Sequence, residues 1–262
     1  MDLDLNGKRA LVLASSRGLG LGIAEALAAE GANVLLCGRS ADKLAANCEA
    51  INARGAGKAD YIAADLADAS FVETLHQAAL DKLGGIDILV NNTGGPPPGG
   101  AVGMDVGVLE KQFQMMVQRV IDLTNRVLPG MREAGWGRIL TIASSGVIQP
   151  IPNLALSNTL RSALVGWSKS LSNEVAGDGV CVNMLLPGRI HTERVDELDN
   201  ANASKSGKAV EDVREASRLA IPAKRYGDVA EFAAVAAFLV SGKASYVTGS
   251  VIRCDGGATK SV

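Results

Sequence analysis

Seven short apolar runs, separated by segments of helical composition, constrain what this chain can fold into more than any other feature. The first is Lys8-Arg9-Ala10-Leu11-Val12-Leu13, and the others lie at 33–38, 59–64, 86–91, 138–143, 180–186 and 250–254. Between them, helices are expected after Gly22 and at 41–53, 70–83, 108–133 and 154–175. Strands that alternate with helices across short links pair in parallel, because each crossover carries its helix back over the sheet. The expected fold is therefore α/β: one doubly wound, Rossmann-like parallel sheet of about seven strands in a single domain over residues 1–262. In such sheets ligands sit at the carboxyl ends of the strands, so the residues just after each run are the ones to read for function. The polar stretch 193–218 falls between two sheet units and is expected to form a small helical flap.

Composition agrees with buried parallel strands. Hydrophobic residues make up 47% of the chain and aromatics only 3%, so the core is built from Ala, Val, Leu and Ile. Net charge is −2, with no basic block to suit nucleic acid or an anionic membrane. Cys37, Cys48, Cys181 and Cys254 stand far apart, and there are only two histidines, which points to no metal and no disulfide framework. The first residues have no apolar signal core and no run reaches membrane-spanning length, so a cytoplasmic location is expected.

After the first strand comes Ala14-Ser15-Ser16-Arg17-Gly18-Leu19-Gly20, a turn of small residues that opens a helix. Glycines there let a bulky group approach the backbone, and the unsatisfied N–H groups of the helix start suit a diphosphate. Glycines serving only strand–helix packing are the alternative reading of the turn taken alone.

Read together, the strand ends resemble the short-chain dehydrogenase/reductase family over nearly the whole chain. Residues 13–20 are similar to its Gly-rich cofactor turn, with Ala14 at the first glycine. Asp65, followed by Leu66, matches the acid that meets adenine. Asn91-Asn92-Thr93-Gly94 resembles the N-N-A-G signature, and Ser144 the catalytic serine. Asn183 with Pro187-Gly188-Arg189-Ile190-His191-Thr192 resembles the N…P-G-x-x-x-T segment beside nicotinamide. Tyr246-Val247-Thr248-Gly249 and Asp255-Gly256-Gly257 resemble the C-terminal packing motif. The resemblance, closest to the 3-oxoacyl-carrier-protein-reductase-like branch, implies carbonyl–alcohol hydride transfer and a homo-oligomer, dimer or tetramer, acting on a small molecule. The apolar faces at 123–127 and 238–239 suit such an assembly or the core.

The resemblance also directs the choice of cofactor. NAD-preferring members carry an acid at the end of the second strand, where this chain has Gly38 followed by Arg39, with Arg17 nearby in the turn. A cation facing a 2′-phosphate gains about 1–4 kcal/mol where an acid loses as much, which favours NADP(H) over NAD(H). A solvated arginine at a helix entrance is the other reading of Arg39.

The family's Tyr and Lys fall on Ser157 and Arg161, and the helix-borne Asn of many members on about Met116. Serine is a poor acid. Arginine stays cationic, but it can hold ribose hydroxyls or stabilise an oxyanion. Against catalytic Ser144, Ser157 and Arg161 stand a local strand-end hydroxyl, a gap-filling helix residue and a structural ion pair. His191 is a possible substitute acid and Arg189 an anion binder, and either is equally a loop residue. Pro96-Pro97-Pro98 reads as a stiff rim on the substrate cleft. The rival to an enzyme is a cofactor-binding homologue with little turnover, and enoyl reduction or dehydration stays open as a different chemistry.

Overall fold

A computed structural model describes residues 2–261. Its seven strands are β1 (Arg9–Val12), β2 (Asn33–Gly38), β3 (Lys58–Ala63), β4 (Ile88–Asn91), β5 (Gly137–Ile142), β6 (Val180–Pro187) and β7 (Val251–Cys254). They form one sheet in the order β3-β2-β1-β4-β5-β6-β7, every neighbouring pair parallel. The order reverses between β1 and β4, which opens a crevice at their carboxyl ends.

Both faces of the sheet are dry, as the near-continuous apolar runs require. Along β1, Ala10 and Val12 pack on one face with Ile23, Leu27 and Phe232. Leu11 and Leu13 turn to the other, with Leu75, Leu123 and Leu171. The first layer comes from α1 (Gly18–Ala29), α2 (Ala41–Asn52) and α9 (Val229–Leu239); the second from α3 (Phe71–Leu83), α5 (Arg119–Glu133) and α6 (Ala155–Val175). Leu123 and Val127 are thus core residues, as is Leu239, while Phe238 stays exposed. Cys37, Cys48 and Cys181 are buried free thiols, and burial pushes the Cys37 thiol up to about 12. No described helix is long and apolar enough to cross a membrane.

Several elements differ in detail from the expectations, and α1 begins at Gly18 rather than after Gly22. The helix expected at 108–133 is interrupted: α4 (Val106–Phe113) runs through a π-helical turn at Gln114–Gln118 into α5. The stretch 193–218 is two helices, α7 (Glu193–Ser206) and α8 (Val210–Ala220). α9, rich in alanine and apolar nearly all round, was not anticipated by the strand–helix pattern. A helix buried on most sides shows little periodicity. Its start is nonetheless marked by a capping box between Asp228 and Glu231.

Candidate active site

The crevice begins at the turn after β1. Ala14 adopts a left-handed φ of +47° and Gly18 one of +58°. The tightness of the turn rests on Gly20, where a Cβ would overlap the Ala14 carbonyl and meet Asn92 Nδ2 at 2.8 Å. Ser15 is fully buried and belongs to the sheet: its hydroxyl donates to Val12 O (2.8 Å) and accepts from Cys37 N (2.9 Å), while its N–H donates to Cys37 O. α1 starts at Gly18 with no side-chain cap and no acid in its first turn. Its first N–H groups and positive dipole end are therefore open to an anion.

The opposite lip follows β4. Asn91 is buried and its Nδ2 donates to Thr124 on α5 (3.2 Å); its Oδ1 has no partner among the described residues. Asn92 Nδ2 crosses the crevice to the Ala14 carbonyl (3.3 Å), joining the two lips. Thr93 is buried, Gly94 is exposed, and a Cβ on Gly94 would touch nothing. Pro96 is buried and Pro97 and Pro98 exposed; beyond them Gly99 pairs with the start of α6, donating to Asn153 O and accepting from Ala155 N.

Arg39, just past β2, is exposed and makes no ion pair or side-chain hydrogen bond among the described residues. A Cβ on Gly38 would press against Ser16 at 3.2 Å, so an acidic side chain at this strand end would crowd the turn. Asp65 Oδ1 accepts from Ala67 N (3.0 Å), and Leu66 packs on the second core layer. Arg17 is not free, since its guanidinium pairs with Glu193 and lies 3.5 Å from Glu197 on α7.

Ser144 follows β5, and Ser157 and Arg161 stand on the first turns of α6. Ser144 Oγ accepts from Gly146 N (3.1 Å), which leaves its own proton free to donate. Gly146 is packed so closely on Asn158 that a Cβ would overlap the Asn158 amide oxygen, which sets the Ser144 turn against the α6 start carrying Ser157. The Ser157 hydroxyl makes no hydrogen bond among the described residues. One helical turn on, Arg161 is buried without a carboxylate partner among the described residues. Its Nη1 donates to Ile142 O (2.8 Å), and its Nη2 approaches Thr93 O (3.4 Å) and Gly94 O (3.5 Å). These contacts replace the structural ion pair allowed by sequence: the guanidinium ties β5, α6 and the loop after β4. Burial pushes its pKa down to about 10, and it remains a cation at neutral pH.

After β6, Gly188 fits only as glycine, because a Cβ would come within 2.7 Å of Asp255 Cβ. Pro187 ends the strand, Ile190 is buried, and Thr192 stands at the start of α7 with its hydroxyl donating back to Ile190 O (3.4 Å) rather than capping the helix. Arg189 is committed to Asp199, which is fully buried and also accepts from the Tyr226 hydroxyl (2.8 Å). It is therefore a structural ion pair. His191 is exposed, its Nε2 3.7 Å from Asp196, and it lines a cavity of about 280 Å³ with Arg214, Arg218 and Tyr226. Met116 sits buried in the π-helical turn beside Leu156 and Leu160 of α6.

A family model described as enoyl-(acyl carrier protein) reductase matches residues 13–259. D-beta-hydroxybutyrate dehydrogenase of Cupriavidus necator is 34% identical over 254 residues, covering 97% of this chain and 98% of that protein. The chain belongs to the short-chain dehydrogenase/reductase family. A 3-oxoacyl-(acyl-carrier-protein) reductase of Vibrio cholerae is 33% identical over 257 residues, or 97% of this chain and 98% of that one. The crystal structure of L-sorbose reductase from Gluconobacter frateurii, complexed with NADPH and L-sorbose, superposes with a TM-score of 0.94 at 30% identity over the full length of both chains. Short-chain dehydrogenase/reductase architecture accounts for the strand order and for the glycine turn at the sheet's switch point.

Proposed function

We propose that the protein is an NADP(H)-dependent oxidoreductase that interconverts a carbonyl and an alcohol, with Ser144, Ser157 and Arg161 at the reacting end. The observation that carries this reading is a buried arginine with no acid partner among the described residues, donating to Ile142 O at the end of β5, with Ser144 following the same strand and Ser157 one helical turn before the arginine on α6. The residues present fit the cofactor: an uncapped α1, open space over Gly94 and an unpaired Arg39. When bound, a nicotinamide supplies the hydride.

The chain supplies the rest. Ser16 to Gly20 receive the diphosphate, with Ala14 and Ser15 shaping the turn beneath it. Arg39 and Arg17 face the 2′-phosphate, and Asp65 and Leu66 the adenine. Asn91, Thr93, Gly94, Pro187, Gly188, Ile190 and Thr192 hold the nicotinamide end. Ser144 and Ser157 donate to the substrate oxygen. Arg161, charged and desolvated, favours negative charge there and bonds the ribose side of the site.

Ser157 and Arg161 stand in this reading where the family carries Tyr and Lys. The site then holds an oxyanion well and protonates it poorly, so water delivers the proton. Activated carbonyls, whose alkoxide is the weaker base, α-keto esters among them, are accordingly turned over better than simple ketones. In the second reading, a cofactor binder with little turnover, the three carbonyls engaging Arg161 use it up as a structural cation. A homo-oligomer in the cytoplasm completes the proposal, supported by exposed Val106, Phe113 and Tyr246.

NADPH oxidation over a panel of ketones, aldehydes and enones separates the two readings. The enzyme reading predicts turnover that falls about 10²–10³-fold in Arg161→Met and clearly in Ser144→Ala, with NADPH binding retained in Ser144→Ala. Binding without turnover on every member of the panel, in both wild type and variants, supports the binder instead.

A further inference from the structure

The two arginines assigned to the 2′-phosphate differ in what already holds them. Arg39 is exposed and unpaired among the described residues, whereas Arg17 is bound to α7 through Glu193 and Glu197. Glu193 is ionised, because the Arg17 hydrogen bond and charge, with Lys43 adding to them, hold its carboxyl below the usual range. α7 also rests on both lips of the crevice. A Cβ on Gly18 would lie 3.8 Å from the Thr192 methyl, and one on Gly95 would lie 3.6 Å from the Arg194 guanidinium. The helix therefore bridges the glycine turn and the loop after β4, with Arg17 as its ionic fastening.

We propose that Glu193 and Glu197 set cofactor selectivity by competing with the nucleotide's 2′-phosphate for Arg17. The inference rests on the reading of the crevice given above. One planar guanidinium cannot offer the same donors to α7's carboxylates and to a phosphate dianion at once. A 2′-phosphorylated nucleotide that recruits Arg17 therefore releases the first turn of α7, while a nucleotide with a free 2′-hydroxyl leaves it fastened. The two acids hold the preference for NADPH below the level that Arg17 and Arg39 would reach alone.

Calorimetric titration of NADPH and NADH into wild type, Glu193→Gln/Glu197→Gln, and the same pair in an Arg17→Ala background tests the competition. The acid variant is expected to bind NADPH about three- to tenfold tighter, as two exposed ion pairs allow, with NADH affinity within about twofold of wild type. The gain is expected to vanish in the Arg17→Ala background. Amide exchange across 193–197 is expected to be faster with NADPH bound than with NADH. An unchanged NADPH-to-NADH ratio in the acid variant overturns the proposal, and so does an equal gain without Arg17. If wild type binds neither nucleotide, the underlying reading of the crevice fails instead.

Discussion

At Ala14 the chain departs from its family at a position where the backbone itself imposes a cost. A φ of +47° suits glycine, and an alanine there carries about 1 kcal/mol of strain. Ala14→Gly is expected to raise stability by up to about 0.6 kcal/mol in urea unfolding, the relieved strain less the added freedom of the unfolded chain; a loss of more than about 0.5 kcal/mol would show that the alanine methyl makes a compensating contact. Sequence showed the residue and its place in the turn, but not its conformation. Arg161 was legible in the same partial way. Its four-residue offset from Ser157 put the two on one helix face, while the carbonyls that receive it come from β5 and the loop after β4, distant in the chain. Arg17 and Arg189 looked available because their acids, Glu193 and Asp199, sit on a helix whose docking no local pattern reveals.

Among the elements, the strands and most helices with one dry face were readable from periodicity to within about two residues, but α1 begins at Gly18, inside the glycine turn, rather than after Gly22. The π-helical turn between α4 and α5 was not, because inserting one backbone step leaves composition unchanged. The packing of α1 on α9 depends on Gly22, whose Cβ would overlap Val229 Cγ1. Gly22→Ala should therefore cost about 1–3 kcal/mol through overpacking despite its better helix propensity, measurable as a lowered urea midpoint at unchanged slope. At the other end of the sheet, Arg9 fastens β1 to the entrance of β4: its backbone N–H and Nε donate to Asp87 Oδ2 (2.9 Å each) and its Nη2 to Oδ1 (2.6 Å). Burial raises the Asp87 pKa, but the Arg9 hydrogen bonds outweigh it and the net direction is down. A carboxylate depressed in the folded state stabilises above its unfolded pKa of about 3.9 and loses that contribution as pH falls through the folded value. Asp87→Asn should destabilise at neutral pH by about 1–2 kcal/mol and flatten the acid limb of the stability profile. An acid limb identical to wild type would remove Asp87 from this role.

For the whole molecule, one topological fact organises the rest: the strand order reverses between β1 and β4, and the candidate cofactor and reacting residues gather at the strand ends around that reversal. The alternation of strands and helices revealed the sheet, and the glycine turn falls at the strand reversal, where sheets of this kind take their ligands. The inserted stretch 193–218 was legible as helical; its division into α7 and α8, and what those polar helices lie across, were not. Isothermal titration with NADPH and NADH tests the account most directly. The account predicts saturable one-site binding of both, with NADPH at least about tenfold tighter than NADH; the absence of any heat of binding with either nucleotide would contradict it.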